Sequence, residues 1–211
     1  MPEALPIFLA AWAALAAAAI SPGPNMVAVA SRGLGAGKGS ALATAFGISL
    51  GGFVWATLTA LGLGVLFETF PILLRSLGIV GGSYLVWLGY KGWGAAVSNS
   101  TSDIAPTDSA GLRRDILHGL IVTATNPKVA LMWASISTFL SAATTSLSLL
   151  FLFAFVSSLV LFAVYASYGL LFSSGGVRRL YERYQKLTEA LFGTLFGALG
   201  LGMVTRALRG G

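Results

Sequence analysis

Two short motifs place helix-breaking residues beside residues that can bind charge. The first motif consists of Ser21, Pro22, Gly23, Pro24 and Asn25. The second motif consists of Asn126, Pro127 and Lys128. A proline removes one backbone donor and clashes with the carbonyl four residues earlier, so each motif predicts a break in a helix. Ser21 and Asn126 can cap the half-helix that follows, and Pro22 and Pro127 suit its first position.

A break of this kind exposes backbone groups of both signs. The amides at the start of a half-helix favour an anion such as a carboxylate. The carbonyls at the end of the preceding half-helix can hold an ammonium group or a water that carries a proton. Either motif alone also fits a simple kink or an early turn. Two motifs at matching positions, about half the chain apart, favour a shared site for a zwitterion.

Lys128 is the charged residue that lies well inside a predicted membrane span. A charge at the centre of a bilayer costs at least ~2.5–3.5 kcal/mol, and such residues usually line a pathway. We expect Lys128 to bind a substrate carboxylate or to change protonation; the alternative is a lysine that reaches the membrane surface or a backbone carbonyl. Four other titratable residues are predicted at the ends of spans as interfacial groups, which leaves a proton route unassigned. These are Glu68, Asp115, His118 and Glu189.

The composition places these motifs in a lipid bilayer. Of 211 residues, 56% are hydrophobic and 9% are charged, with a mean hydropathy of +0.83, whereas soluble domains carry about 25% charged residues. The chain has no cysteine and a single histidine, so we expect no disulfide, no thiol redox chemistry, no metal centre and no cofactor. The net charge of +6 is spread between apolar runs, where it indicates membrane topology rather than nucleic-acid binding.

Six transmembrane helices are predicted, because a spanning helix needs about 20 apolar residues. The predicted spans are 5–31, 41–67, 71–92, 113–140, 147–173 and 187–208. The apolar start of the chain lacks the basic residues of a signal peptide, so we interpret it as a retained first helix. The expected fold is therefore an all-α membrane protein.

The two motifs fall in the first and fourth spans, which divides the chain into two similar halves. Residues 94–112 are polar and predict a flexible cytoplasmic linker. Residues 1–93 and 113–211 then hold three spans each, with the first span of each half broken. Because three is odd, the halves cross the membrane in opposite senses. This 3+3 inverted repeat with paired broken helices is typical of a transport site.

Basic residues set the predicted orientation. The loops after the first, third and fifth spans hold most of the lysines and arginines, which places these loops in the cytoplasm and both termini in the periplasm. Those residues are Arg32, Lys38, Lys91, Arg113, Arg114, Arg178, Arg179, Arg183 and Lys186. Arg206 and Arg209 near the C-terminus oppose this assignment. Two glycine pairs with small-xxx-small spacing, Gly78/Gly82 and Gly193/Gly197, predict close helix packing.

Four segments carry a resemblance to a known family. They are SPGPNMV, GAGKGSALATAFGISLG, GGSYLVWLGYKGW and NPKVALMW, in that order. With them the chain resembles the LysE (lysine exporter) family, especially its homoserine/threonine-resistance branch of bacterial inner-membrane amino-acid exporters. The resemblance covers nearly the whole chain. It implies a six-helix secondary transporter driven by the proton gradient, with Pro22 to Asn25 and Asn126 to Lys128 as its motif positions.

The resulting hypothesis is export of a small amino acid or related zwitterion by alternating access. Few acidic residues are available to hold a second positive charge, which favours a neutral amino acid. The alternative is a cation exporter or channel of the same superfamily, but the acidic clusters and cysteines that such proteins use are missing from the sequence. A membrane enzyme is not expected, because no catalytic triad or zinc motif lies at spanning depth. The sequence leaves the amino acid, the coupling ion and the oligomeric state open, and a homo-oligomer is compatible with it.

Overall fold

The computed structural model describes residues 4–20, 23–63, 69–97, 108–143 and 146–209, and these ranges contain helices and no strand. The first half has α1 (Ala4–Ile20), α2 (Pro24–Ala36), α3 (Lys38–Leu58) and α4 (Pro71–Val97), with a π-helical turn (Thr59–Leu63) after α3. The second half has α5 (Leu112–Ala124), α6 (Pro127–Ala143), α7 (Leu147–Phe172) and α8 (Gly175–Arg209). The predicted all-α class is confirmed.

Helices lie at all six predicted spans, but fewer meet the length and hydropathy of a membrane span. Within the described ranges, Lys38–Gly62, Leu147–Phe172 and Glu189–Arg209 do so. Helices α1 and α2 meet the criteria together and are bent by 54° at their junction, as expected for a broken first span. The chain is a membrane protein with up to four such spans among its described residues, and the six-span inverted repeat stays a prediction.

After the first break, the next helix begins two residues later than predicted. Helix α1 ends at Ile20 and α2 begins with Pro24 in its first turn, with Gly23 in extended backbone (φ −179°, ψ 174°) as the N-cap. The prediction of Ser21 as the cap and Pro22 as the first helical residue was therefore wrong. Glycine is a tolerated N-cap and proline suits the first helical position, so the pair Gly23–Pro24 starts the helix equally well. Ser21 and Pro22 themselves lie outside the described residues.

The second break has the predicted form. Helix α5 ends at Ala124 and α6 begins at Pro127. The side-chain oxygen of Asn126 accepts a hydrogen bond from the Lys128 amide at 3.0 Å, and the Asn126 carbonyl accepts one from the Val129 amide at 3.0 Å. The predicted capping by Asn126 ahead of Pro127 is confirmed.

Helix α3 lies at the centre of the bundle, against α5 on one side and α7 on the other. It crosses α5 so closely that a Cβ atom at Gly47 would lie 1.9 Å from the Ile116 carbonyl oxygen, and one at Gly119 would lie 2.1 Å from that of Thr44. Apolar side chains from α1, α3, α6 and α7 pack around it, including Leu15, Ile48, Trp133 and Phe153, all fully buried. These contacts fix the two broken segments against one frame.

Helices α4 and α8 form a second, tightly packed pair. A Cβ atom at Gly89 would lie 2.7 Å from the Gly197 amide nitrogen, and one at Gly82 would lie 2.7 Å from the Gly200 carbonyl oxygen. The predicted role of Gly82 and Gly193 in close packing is confirmed, whereas a Cβ atom at Gly197 would meet nothing within 4 Å. The pair meets the rest of the bundle at Gly81, where an added Cβ would lie 2.2 Å from Pro127 Cβ. Helix α4 therefore packs directly against the second break.

The predicted linker is only partly within the described residues. Helix α4 continues to Val97, so the start of the 94–112 segment is helical. Residues 98–107 lie outside the described ranges. The division into repeats at 1–93 and 113–211 therefore stays a prediction.

Candidate functional site

The two helix breaks meet at a pair of asparagines. Asn126 Nδ2 donates a hydrogen bond to Asn25 Oδ1 at 2.9 Å, and both side chains are buried. Asn126 thus caps α6 with its oxygen and reaches the first break with its nitrogen. Residues 23–25 and 126–128, far apart in the sequence, form one polar centre. Pro24 and Pro127 stand at the starts of the two half-helices that point away from it.

Lys128 lies across the start of α2. A Cβ atom placed on Gly23 would be 3.4 Å from the Lys128 ammonium nitrogen, which is van der Waals contact, so the lysine side chain lies against the start of the helix. The N-terminus of a helix carries partial positive charge. The ammonium group adds to that charge instead of neutralising it. The arrangement is electrostatically suited to a bound anion.

A small cavity lies inside this centre. Its lining includes Gly23, Asn25, Asn126 and Lys128 from the breaks, together with Thr123 and Tyr165. Its volume is about 20 Å³, which is room for roughly one water molecule. An amino acid would not fit without movement of the surrounding helices. The structure therefore shows the centre in a closed form.

Helix α7 supplies two tyrosines that the sequence analysis did not assign to the site. Tyr165 is buried and lines the closed cavity together with Asn25. The Tyr168 hydroxyl donates to the carbonyl of Ile20, the last residue of α1, at 2.7 Å. A freed carbonyl of the first break is satisfied in this way. The available signal was two tyrosines, three residues apart, within a span that has no charged residue.

The end of α5 supplies groups of the opposite sign. The Thr125 amide and hydroxyl both donate to the Ile121 carbonyl, at 2.9 and 2.8 Å, and the Asn126 amide donates to that of Thr123 at 3.3 Å. Pro127 has no amide and the Lys128 amide is used by the Asn126 cap, so the Ala124 carbonyl receives no backbone donor within the described residues. The buried Thr123 hydroxyl also has no hydrogen-bond partner there. These oxygens can accept hydrogen bonds from an ammonium group.

A second polar cluster was not predicted. Asp115 is fully buried, with Arg32 Nε at 3.3 Å from its Oδ1, and its Oδ2 accepts hydrogen bonds from Ser40 at 2.5 Å and Ser109 at 2.9 Å. The Arg32 guanidinium also donates to the Asp108 carbonyl. These partners come from α2, α3 and the segment before α5, and the prediction of Asp115 as an interfacial group did not include them. Glu189, predicted in the same class, is also buried, at 2% exposure.

Comparisons with known proteins agree with the geometry. A family model described as LysE type translocator matches residues 16–207. The threonine efflux protein of Escherichia coli (strain K12) is 32% identical over 192 residues, which cover 89% of this chain and 92% of that protein. The leucine efflux protein of Enterobacter sp. (strain 638) is 30% identical over 189 residues, which cover 88% and 87% of the two chains.

A third relative matches a shorter part. The homoserine/homoserine lactone efflux protein of Salmonella typhi is 31% identical over 117 residues, 56% of each chain. No solved structure matches the sequence. The family model covers both helix breaks and nearly all described helices, which confirms the resemblance carried by the four motif segments. The chain belongs to the LysE family of translocators, which are transport proteins and not enzymes.

Proposed function

We propose that this protein exports a small, neutral amino acid or a related zwitterion across the bacterial inner membrane. The observation that carries the proposal is the joining of both helix breaks by the Asn25–Asn126 hydrogen bond, with Lys128 across the start of α2. The relatives named for the efflux of threonine, leucine and homoserine support an amino acid as the substrate.

The substrate carboxylate is bound by the Lys128 ammonium group and the positive end of α2. The substrate ammonium group is bound by oxygens at the end of α5, namely the Thr123 hydroxyl, which has no hydrogen-bond partner within the described residues, and the Ala124 carbonyl, which receives no backbone donor there. Charge-assisted hydrogen bonds of this type are about twice as strong as neutral ones. The two charges of a zwitterion are thus compensated separately in a medium where either alone would be costly.

The small size of the closed cavity supports transport by alternating access. A volume of about 20 Å³ must expand toward one membrane face at a time to admit and release an amino acid. The pairing of helices supports an inverted repeat. Helix α4 packs on α8, and these are the third spans of the two halves; α3 packs on α7, and these are the second spans. A two-fold axis through the centre of the bundle produces this pairing.

Orientation and coupling complete the proposal. Both termini lie in the periplasm, as the basic loops between the spans indicate, and the proton gradient drives export. A protonophore therefore abolishes export in cells that keep their ATP level. Lys128 is the charged group that binds the substrate carboxylate, so substrate binding depends on the charge of Lys128.

The proposal is tested by efflux from bacteria loaded with a panel of labelled amino acids. The native chain is compared with Lys128→Met and with Lys38→Met, which removes an exposed lysine at the start of α3. We expect at least one neutral amino acid to leave faster with the native chain and with Lys38→Met, and at least tenfold more slowly with Lys128→Met at equal amounts of protein in the membrane. A panel in which no amino acid leaves faster than from cells without the protein overturns the proposal.

A further inference from the structure

Two larger cavities lie along α4, and each shares a lining residue with the next space toward the closed site. The first has a volume of about 560 Å³ and lies between α4 and the second break, with Gly81, Tyr84, Thr125 and Asn126 in its lining. Asn126 also lines the closed cavity, so the two spaces lie on either side of the same residue. The larger space can hold an amino acid.

The second cavity continues from the first toward the end of α4. Its volume is about 240 Å³, and it is lined by Pro24 and Val27 of α2 and by Tyr84, Trp87 and Lys91 of α4, among others. Tyr84 lines both cavities. Pro24 starts the helix after the first break, so Tyr84 lies where α4 faces both breaks.

One face of α4 forms the common wall of these spaces. Tyr84, Trp87, Leu88 and Lys91 follow the spacing of one helical face, which covers roughly 10 Å along the axis. The rings of Tyr84 and Trp87 stack with centroids 5.7 Å apart, and Lys91 Nζ lies 4.9 Å from the centroid of Trp87. A cation and an aromatic surface therefore stand at the outer end, and the Asn126 amide stands at the inner end.

The chemistry of this wall suits a zwitterion better than a lipid chain. Ala124, Thr125 and Asn126 bring backbone and side-chain polar groups into the lining of the 560 Å³ cavity, and an acyl chain cannot form hydrogen bonds with them. Lys91 attracts the carboxylate of a solute that approaches from its end of α4. Lys128, in the lining of the closed cavity, offers the second positive charge.

We propose that these two cavities are the path by which the amino acid reaches the closed site from the end of α4 that carries Lys91, with Tyr84 as the residue that divides the path. The inference rests on the proposed function and adds a route to it. Lys91 collects the substrate, the 560 Å³ cavity holds it beside the second break, and separation of Asn126 from Asn25 admits it to Lys128.

The sequence has no cysteine, so single cysteines report directly on whether the path holds water. Val27→Cys and Ala130→Cys each place one thiol in a cavity of the path with a small change of volume. Leu159→Cys is the control, because Leu159 is 50% exposed on α7 and faces none of these cavities. Membrane vesicles of both orientations are treated with a charged, membrane-impermeant methanethiosulfonate reagent. We expect both path cysteines to react at least tenfold faster than the control. Reactivity as low as that of Leu159→Cys at both positions means a lipid-filled groove and overturns the path.

A second measurement tests the role of Lys91. Lys91→Gln is compared with Lys91→Arg, which keeps the charge, and with Lys38→Gln. We expect Lys91→Gln to raise the half-saturating internal concentration of the exported amino acid by three- to tenfold at an unchanged maximal rate, with Lys91→Arg and Lys38→Gln near the native value. Intact export with no such shift and unreactive cysteines overturns the path alone. A native chain that exports none of the panel overturns the proposed function and the path together.

Discussion

Asn126 performs two tasks with one side chain. Its oxygen caps α6 through the Lys128 amide, and its nitrogen donates to Asn25 across the two breaks. An amide is the side chain that offers one acceptor and one donor at this distance. A carboxylate of the same size keeps the acceptor and loses the donor, which separates the two tasks experimentally.

Asn126→Asp is predicted to keep the helix cap and lose the connection between the breaks. The new carboxylate faces Asn25 Oδ1 with no proton to donate, so the closed centre is disfavoured. We expect export to fall at least tenfold while the thermal stability of the purified protein changes little. Asn126→Ala loses the cap as well, which lowers stability by about 1 kcal/mol. Efflux and thermal melting of both variants check the prediction, and native export by Asn126→Asp contradicts it.

Asp115 belongs to a buried ion pair with Arg32, and substitution of either residue measures how much the pair stabilises the protein. Its carboxylate is held by Arg32, Ser40 and Ser109 with no exposure to solvent. Removal of one member of a buried ion pair typically costs ~3–5 kcal/mol, because the remaining charge is left uncompensated.

Asp115→Leu alone is therefore predicted to destabilise the protein strongly, and Asp115→Leu combined with Arg32→Met to restore much of the loss. Thermal melting in detergent of the two single variants and the double variant measures the coupling. If the loss of stability in the double variant equals the sum of the losses in the two single variants, Arg32 and Asp115 do not stabilise each other, which contradicts the prediction.

At the scale of elements, the positions of α3 and α5 are set by glycine. Backbones of the two helices touch at Gly47 and Gly119, where an added methyl group would overlap a carbonyl oxygen of the other helix. Neither carbonyl can move without disturbing its own helix. The contact also sets the position of α5, whose end forms part of the site.

Gly47→Ala and Gly119→Ala are each predicted to push α5 away from α3 and to lower both stability and export. Overpacking of this kind typically costs ~1–3 kcal/mol, and displacement of the second break adds a loss of activity. Gly39→Ala is the matched control in the same helix, since nothing lies within 4 Å of a Cβ there. Melting temperatures and efflux rates that leave Gly47→Ala and Gly39→Ala indistinguishable would contradict the close contact.

The sequence predicted the elements better than their contacts. The apolar runs located the helices, because hydrophobic length is a local property, and Asn126–Pro127 located the second break. The start of α2 was predicted two residues early, since Ser–Pro and Gly–Pro are both accepted at the beginning of a helix. Tyr165, Tyr168 and the partners of Asp115 were missed because each meets its partner across the fold, far away in the sequence.

At the scale of the whole molecule, the bundle consists of a central frame and a lateral pair. The frame of α1, α2, α3, α5, α6 and α7 contains both breaks, and α4, paired with α8, contacts it at Pro127. The cavities along α4 lie between these two parts. Movement of the pair relative to the frame would open the site without breaking the glycine contacts inside either part.

The central claim is that the two breaks bind a zwitterion through separate charges, with Lys128 as the partner of its carboxylate. The most direct test is equilibrium binding of an exported amino acid and of its methyl ester to the purified native protein and to Lys128→Met. The account predicts that the native protein binds the acid at least tenfold more tightly than the ester and that Lys128→Met binds both with similar affinity. A Lys128→Met variant that keeps the full preference for the acid would contradict it.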